Sequence, residues 1–477
     1  MFSLESENRE LVLLEEVTTL VEKMGFERHQ TSEIIDRAQP FLGRATTVID
    51  YYKEIIMPTR ELKIKVSDLY YYCGQVYHTT ASYKNALHYY EGSYDIRKGL
   101  YGDQHPDVAQ CAFSIGNAHK KIGDYQKSLG FLMQSLEIYR AIYGNSHPDV
   151  ARSLNNIGNV YLDLKDKKKA LFYYEESLFI RKEVHGTEQH PDVAQSLGNI
   201  AHLEKVNGNY KKAMEMMHQS LNIYRDIFGN QHEKVAHSLH NLAAVYSRLG
   251  NKEEALHYYE ESLAIRKSIY REGGHPDIAM TLNNIGFVYF SLDNNETALM
   301  HYEESLIMLK KFCLDNDKLA LTLNNFGMLH RQLKNYEQAL ACYKESLIVN
   351  KNIYGNKHSE VAAALNNIGI IYHDLGQNVN ALMNLEKSIS IYRQVAVAKD
   401  FRDFTNTLYI ASKIYREIGN NTEASKYFKE YRLIKDKIIE EHNRIDEDLT
   451  PITIDNIGDT AQEDDVLLGI CEINEII

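Results

Sequence analysis

A chain of 477 residues with 44% hydrophobic and 25% charged residues, 7 Pro and no Trp has an ordinary soluble composition, which excludes disorder over most of its length. Net charge is −13, but ten acids (Asp446, Glu447, Asp448, Asp455, Asp459, Glu463, Asp464, Asp465, Glu472, Glu475) face only Arg444 within residues 442–477, so the remaining body is nearly balanced. A nucleic-acid surface needs a concentrated basic field and is not expected.

The chain opens on Met1-Phe2-Ser3-Leu4-Glu5-Ser6-Glu7, without a basic leader, and nowhere runs the roughly 18 apolar residues of a membrane span. A cytoplasmic protein with no membrane partner is the expectation. Residues 3–24 read as one helix, with Ser3 as cap, Leu4, Leu11, Leu14 and Val21 as the apolar stripe, and Gly25 as the stop. Further helical material continues to about Met57-Pro58. Residues 1–62 are therefore expected to form an N-terminal helical cap, with a short dimerising helix as the alternative. The oligomeric state expected is a monomer or weak dimer.

From residue 63 the chain repeats. His-Pro-Asp-Val begins at His105, His147 and His190, recurs as His-Pro-Asp-Ile at His275, and weakens to His-Glu-Lys-Val at His232 and His-Ser-Glu-Val at His358, a period of 42 or 43 residues. Each unit holds two apolar-periodic segments of helical length, such as 150–164 and 168–184. Proline suits the first helical position, and the Asp after it brings negative charge to the positive helix end. Glycines 123, 208, 250, 376 and 419 fall where helices must stop.

Two columns of small residues lie twelve positions apart. The first helices carry Gly74, Gly116, Gly158, Ala201, Ala243, Gly286, Gly327, Gly369 and Ser412, and the second carry Ala86, Ser128, Ala170, Ala213, Ala255, Ala298, Ala339, Ala381 and Ala424. Glycine inside a helix costs roughly 1 kcal/mol against alanine, so its recurrence requires close helix approach. Tyr77, Tyr161, Tyr246, Tyr289, Tyr372 and Tyr415 on first helices, and Tyr90, Tyr174, Tyr259, Tyr302, Tyr343 and Phe428 on second helices, supply the large residues beside that contact.

These columns resemble the tetratricopeptide repeat, and the 42-residue period with Leu-Asn-Asn-Ile-Gly and a long second helix is similar to the kinesin light chain version. The resemblance covers about residues 63–440. It implies an all-α fold, a right-handed α-solenoid (superhelix) of about nine antiparallel helix pairs over 63–441. Glu204 departs from the aromatic column, and Tyr431 replaces the Ser seen at Ser177, Ser262 and Ser305, which marks a capping repeat. Kinesin light chains carry a long heptad coiled coil ahead of their repeats, whereas the stripe here lasts about three heptads and includes Glu7 and Thr18, which argues against a motor subunit.

Asn156, Asn199, Asn241, Asn284, Asn325 and Asn367 share one place in six consecutive repeats, and Asn155, Asn283, Asn324 and Asn366 precede four of them. Asparagine is a mediocre helix former, so its amide must do something there. The resemblance implies that first helices line a concave groove, where such an amide bonds the backbone of a bound peptide through both donor and acceptor. The alternative is that these amides tie neighbouring repeats together. Lys120, Lys121, Lys205, Arg248 and Arg331 on the same faces, interspersed with Asp163, Asp374 and Glu417, make the groove weakly basic and suited to an acidic peptide or protein ligand. Phe113, Asn155 and Gly198 stand where the family's chaperone-tail clamp needs lysine, so that form of docking is not expected.

No nucleotide loop, His-Glu-x-x-His or Gly-x-Ser-x-Gly is present, and the periodic histidines lie one whole repeat apart, too far to share an ion. His-Pro-Asp invites comparison with the tripeptide of J-domains, but its recurrence in phase with the helix pairs assigns it to a turn and cap. Cys73, Cys111, Cys313, Cys342 and Cys471 are odd in number and scattered, which argues against disulfides. No catalytic residue, metal or cofactor is expected. Residues 442–477, with Pro451 and Gly458, read as an acidic flexible tail. Its segment Asp464-Asp465-Val466-Leu467-Leu468-Gly469-Ile470 is either merely solvated or a complement to the groove in cis. The functional expectation is an adaptor or scaffold that holds an extended protein segment. A peptide-responsive regulatory sensor and a secreted host-directed effector are the alternatives.

Overall fold

The computed structural model describes residues 2–24, 39–80, 82–270, 274–312, 317–395 and 401–446. Gly25, Cys313, Cys471 and the tail beyond Asp446, with Pro451, Gly458 and the Asp464–Ile470 segment, lie outside the described residues. The chain forms two compact units, one through Ile227 and one from Phe228.

The first unit begins with α1 (Phe2–Met24), a 3-10 turn (Gln39–Phe41) and α2 (Leu42–Lys53). Four helix pairs follow: α3 (Arg60–Thr79) with α4 (Tyr83–Tyr101), α5 (Pro106–Ile122) with α6 (Tyr125–Tyr143), α7 (Pro148–Asp163) with α8 (Lys167–His185), and α9 (Pro191–Val206) with α10 (Tyr210–Phe228). The second unit holds five: α11 (Glu233–Arg248) with α12 (Lys252–Tyr270), α13 (Pro276–Ser291) with α14 (Asn295–Phe312), α15 (Asp317–Gln332) with α16 (Tyr336–Tyr354), α17 (Ser359–Asp374) with α18 (Asn378–Val395), and α19 (Phe401–Glu417) with α20 (Asn421–Asp446). Each unit is thus an all-α stack of antiparallel helix pairs, four in the first and five in the second among the described residues.

Alpha-1 differs from its expected stripe. Leu13, Val17, Leu20 and Met24 are buried against Ala45, Val48 and Ile49 of α2 and Leu62, Val66 and Leu69 of α3, whereas Leu11 is 58% exposed. Both sets repeat at helical spacing, but only the buried one continues unbroken to the end of the helix, giving the larger contact with α3. Ser3 lies inside the helix, which starts at Phe2, and so does not cap it.

The small-residue columns place the two helices of each pair in contact. A Cβ on Gly74 would meet the Tyr90 ring at 2.5 Å, one on Gly158 the Tyr174 ring at 2.7 Å, and one on Gly327 the Tyr343 ring at 2.8 Å. Tyr174, Tyr259 and Tyr302 are almost wholly buried, each contributing roughly 1.5–3 kcal/mol through removal of apolar surface from water. A serine further along the second helix fixes the register: Ser177, Ser220, Ser262, Ser305 and Ser388 each donate to a first-helix carbonyl 26 residues earlier, at 2.7–2.8 Å. At the end of the stack Tyr431 takes that place, half-buried and against Tyr409 at 5.5 Å between ring centroids. The thiols of Cys73 and Cys111 are buried and free, and burial pushes Cys73 up to about 12, so neither is a ready thiolate.

Candidate peptide-binding face

Every intact His repeat uses the same local device. His105, His147, His190, His232, His275 and His358 stand at helix N-caps in extended backbone, and each Nδ1 accepts the amide two residues on at 3.1–3.2 Å. The imidazole also lies flat on the last aromatic ring of the preceding helix: Tyr101 on His105 at 4.1 Å, Tyr143 on His147 at 4.0 Å, Tyr270 on His275 at 3.8 Å. The cap half of this arrangement was legible in His-Pro-Asp, and the stack was not. Its signal is a Tyr or Phe four or five residues before each of these His residues except His190.

That device fixes the start of each first helix and hence which face its asparagines present. In the first unit Asn156, on α7, is half-buried and donates to the carbonyl of Arg152 in its own helix at 3.0 Å. Asn155 is buried and accepts from Asn199, on α9, at 2.7 Å. In the second unit Asn241, Asn284 and Asn367 are half-buried on α11, α13 and α17, while Asn325 on α15 is buried and donates to Asn283 at 3.1 Å. Asn283, Asn324 and Asn366 are buried throughout, and the Oδ1 atoms of Asn324 and Asn366 have no hydrogen-bond partner among the described residues. The two columns therefore occupy different depths. The preceding residue faces inward between repeats, and the following residue faces the edge, except at Asn325.

The inner column hides a residue that sequence reasoning missed. His240 stands at its gap, one before Asn241, and its ring lies within 3.4 Å of Thr281 Oγ1 and Arg266 Nη1, with Asn284 Nδ2 at 3.3 Å from Nε2. Arg266 is buried and donates to the Asp277 carbonyl at 2.8 Å and to Thr281, and Asn284 reaches the Tyr259 hydroxyl at 3.3 Å. Burial pulls the Arg266 guanidinium below its ordinary range, with Asp277 opposing. A buried charge needs such a set of acceptors, and the network ties Asn284 to both helices of the preceding repeat.

Two of the cations on these faces are matched by acids of the next repeat. Lys120 lies 3.4 Å from Asp163, and Arg331 forms a two-point contact with Asp374, 2.6 Å at Nε. Lys205 and Arg248 are half-buried on the corresponding edges. Partly exposed pairs of this kind contribute about 0–1 kcal/mol to stability, and they lessen the positive field that the first-helix faces would otherwise present. Glu204, at the gap in the aromatic column, is buried, accepts from Asn209 at 2.7 Å and pairs with Lys212 at 2.5 Å. Among the described residues no helix is long and apolar enough to cross a membrane.

Comparison with known proteins places this geometry in a family. The tetratricopeptide repeat model matches residues 66–141, 118–183, 192–268 and 318–394, and a second tetratricopeptide repeat model matches 278–311, together more than half of the chain. Among solved structures, the apo form of the quorum sensor NprR from B. thuringiensis is 16% identical, with a TM-score of 0.52, covering 74% of this chain and 97% of that one. BtubC (BKLC) from P. vanneervenii is 18% identical over 54% of this chain and 96% of its own, TM-score 0.42. Nearly identical TPR-like repeats assigned to a kinesin light chain from Podosopora anserina are 21% identical over 43% of this chain and 96% of theirs, TM-score 0.36. No curated protein matches. The chain belongs to the tetratricopeptide repeat family.

Proposed function

We propose that the chain is a protein-interaction scaffold that holds an extended segment of a partner against its first helices. The supporting observation is the row of half-buried amides at Asn241, Asn284 and Asn367, equivalent positions on α11, α13 and α17 of one unit. A carboxamide carries a donor and an acceptor on one end, which matches the N–H and C=O of a peptide unit and places no demand on its side chains. Each such bond is worth about 0.5–1.5 kcal/mol net, so several in register give useful affinity without reading sequence. Asn156 and Asn199 extend the reading to the first unit. The buried Asn155, Asn283, Asn325, Asn324 and Asn366 brace the edge row from beneath.

In this reading the partner is a protein or peptide, and specificity comes from the residues flanking the amide row, Lys120, Lys205, Arg248 and Arg331 among them. An acidic ligand has to compete with Asp163 and Asp374 for two of these cations.

The second reading, a peptide-responsive sensor, draws on the likeness in fold to the quorum sensor NprR. Capture of partners on the full chain, followed by mass spectrometry, tests both. One large stable partner supports the scaffold, and a co-purified short peptide supports the sensor. Capture unaffected by removal of the Asn241, Asn284 and Asn367 amides overturns the assignment of the face.

A further inference from the structure

One repeat breaks the aromatic pattern at its cap. The second helices that precede a capping His end in Tyr101, Tyr143, Phe228, Tyr270 and Tyr354, but α8 ends in His185. The ring on which His190 rests is therefore a second imidazole, at 3.3 Å between centroids and 14° between planes. Asp192 completes the group: its Oδ2 lies 3.3 Å from His185 Nε2 and 3.8 Å from His190 Nδ1. The three ligand atoms all fall within 4.8 Å of one another, and the side chains are 18%, 32% and 44% exposed.

We propose that His185, His190 and Asp192 form a site for a divalent transition-metal ion of the zinc class, with solvent as the fourth ligand. Two neutral imidazoles and a carboxylate are ordinary ligands for such an ion. Donors sharing one tetrahedral ion at about 2.0–2.2 Å stand about 3.3 Å apart, so the observed separations need only side-chain adjustment to close on it. Sequence spacing set metal binding aside because the repeated histidines lie a full repeat apart. His185 belongs to no such column. It is brought beside His190 by the turn at Gly186, whose φ is +61°.

Binding has a structural consequence at the helix cap. His190 Nδ1 now accepts the Asp192 amide at 3.2 Å, and an ion on that nitrogen displaces the bond. An ion lies in the plane of each imidazole that holds it, so the two rings also turn out of their stack. The ion works against the positive end of α9 and against Arg181, which donates to the Asp192 carbonyl at 2.6 Å. Lys182 is held away by Glu188 at 2.6 Å. The equivalent corner at Tyr143, His147 and Asp149 has the cap and the stack but one imidazole, and it serves as an internal control.

The test uses the full chain without a histidine tag, titrated with Zn²⁺ at neutral pH by calorimetry. His185→Tyr restores the ring found in the other repeats and so preserves the stack. The expected result is one binding event, weakened at least about 10- to 100-fold in His185→Tyr and also weakened in Asp192→Asn, with faster exchange of the Asp192 amide in the zinc-bound protein. Absence of binding heat at millimolar Zn²⁺, or binding unchanged in His185→Tyr while circular dichroism shows both variants folded, overturns the proposal.

Discussion

Gly158 and Tyr174 stand so close that a Cβ on the glycine would lie 2.7 Å from the ring. The carbonyl of Ala170 closes the other side at 3.3 Å, so the methyl group has nowhere to go without moving a helix. Gly158→Ala gains about 1 kcal/mol of helix propensity and loses about 1–3 kcal/mol to overpacking, and the second effect should win. In a stack of repeats the damage stays local, so hydrogen exchange should quicken in α7 and α8 before other pairs respond. Ala255→Leu, at a fully buried second-helix position, should loosen α11 and α12 in the same way. Slower exchange in either variant would show that the columns do not mark tight contacts.

The turns within the pairs offer the opposite change. Gly123, Gly208, Gly250, Gly376 and Gly419 adopt left-handed backbone, and Lys165, Asp293 and Lys334 adopt it too, with φ of 64°, 57° and 60°. A side chain there costs roughly 1 kcal/mol through its Cβ, while glycine costs some entropy in the unfolded chain. Lys165→Gly and Lys334→Gly should each stabilise by about 0.5 kcal/mol, read as a higher urea midpoint with an unchanged slope. A lower midpoint would mean that the lysine side chains contribute more than the strain they impose.

How much of this was legible can be argued from particular residues. The helix pairs were, because Gly158 and Ala170 sit in columns that only close packing explains, and a period of this length leaves few alternatives. The cap role of His147 was legible from the proline after it. The buried face of α1 was not, since Leu11 and Leu13 each begin a helical stripe and only the partner helix decides between them. Nor was the depth of the asparagines: Asn283 and Asn284 are neighbours in sequence with equal polarity, and one is buried while the other reaches the edge. The network at Arg266 and His240 joins residues a repeat apart whose pairing depends on side-chain direction. Periodicity reports which face a residue takes, but a polar residue on a shared face gives no sign of whether its partner is water, ligand or the next repeat.

The amide row gives a prediction that separates binding from folding. Replacing Asn241 and Asn367 by Ala removes edge amides, so partner affinity should fall about 10-fold or more, at about 1 kcal/mol per backbone bond, with helicity nearly intact. Adding Asn325→Ala should be different in kind, because Asn325 is buried and bonded to Asn283. The triple variant should lose melting temperature by several degrees as well, since the Asn283 carbonyl is left without its partner. Equal affinity for the partner across all three proteins would remove the edge amides from the binding face.

The capping histidines make stability depend on pH in a direction that can be worked out. His275 Nδ1 accepts the Asp277 amide at 3.1 Å, which requires a lone pair on that nitrogen. Protonation removes the acceptor and sets positive charge at the positive end of α13. Burial lowers the His275 pKa from 6.5; Lys318 and Arg266 act in the same direction, while Asp277 and Glu233 oppose. His232 is lowered too, with burial again the largest cause. A depressed folded-state pKa means that the unfolded chain takes up the proton more readily. The contribution is therefore full above about pH 6.5 and is lost as pH falls through the lower folded value. His275→Asn keeps an acceptor at the cap that does not titrate, so it isolates this loss from that of the other histidines. Melting temperature should fall between pH 7 and pH 5 in both proteins and fall less in the variant, by the equivalent of up to about 1 kcal/mol, the usual worth of a cap. Most carboxylates stay ionised over this window, so they do not mask the difference. Parallel curves for the two proteins would mean that the cap bond survives protonation, with Asp277 holding the imidazolium in place instead.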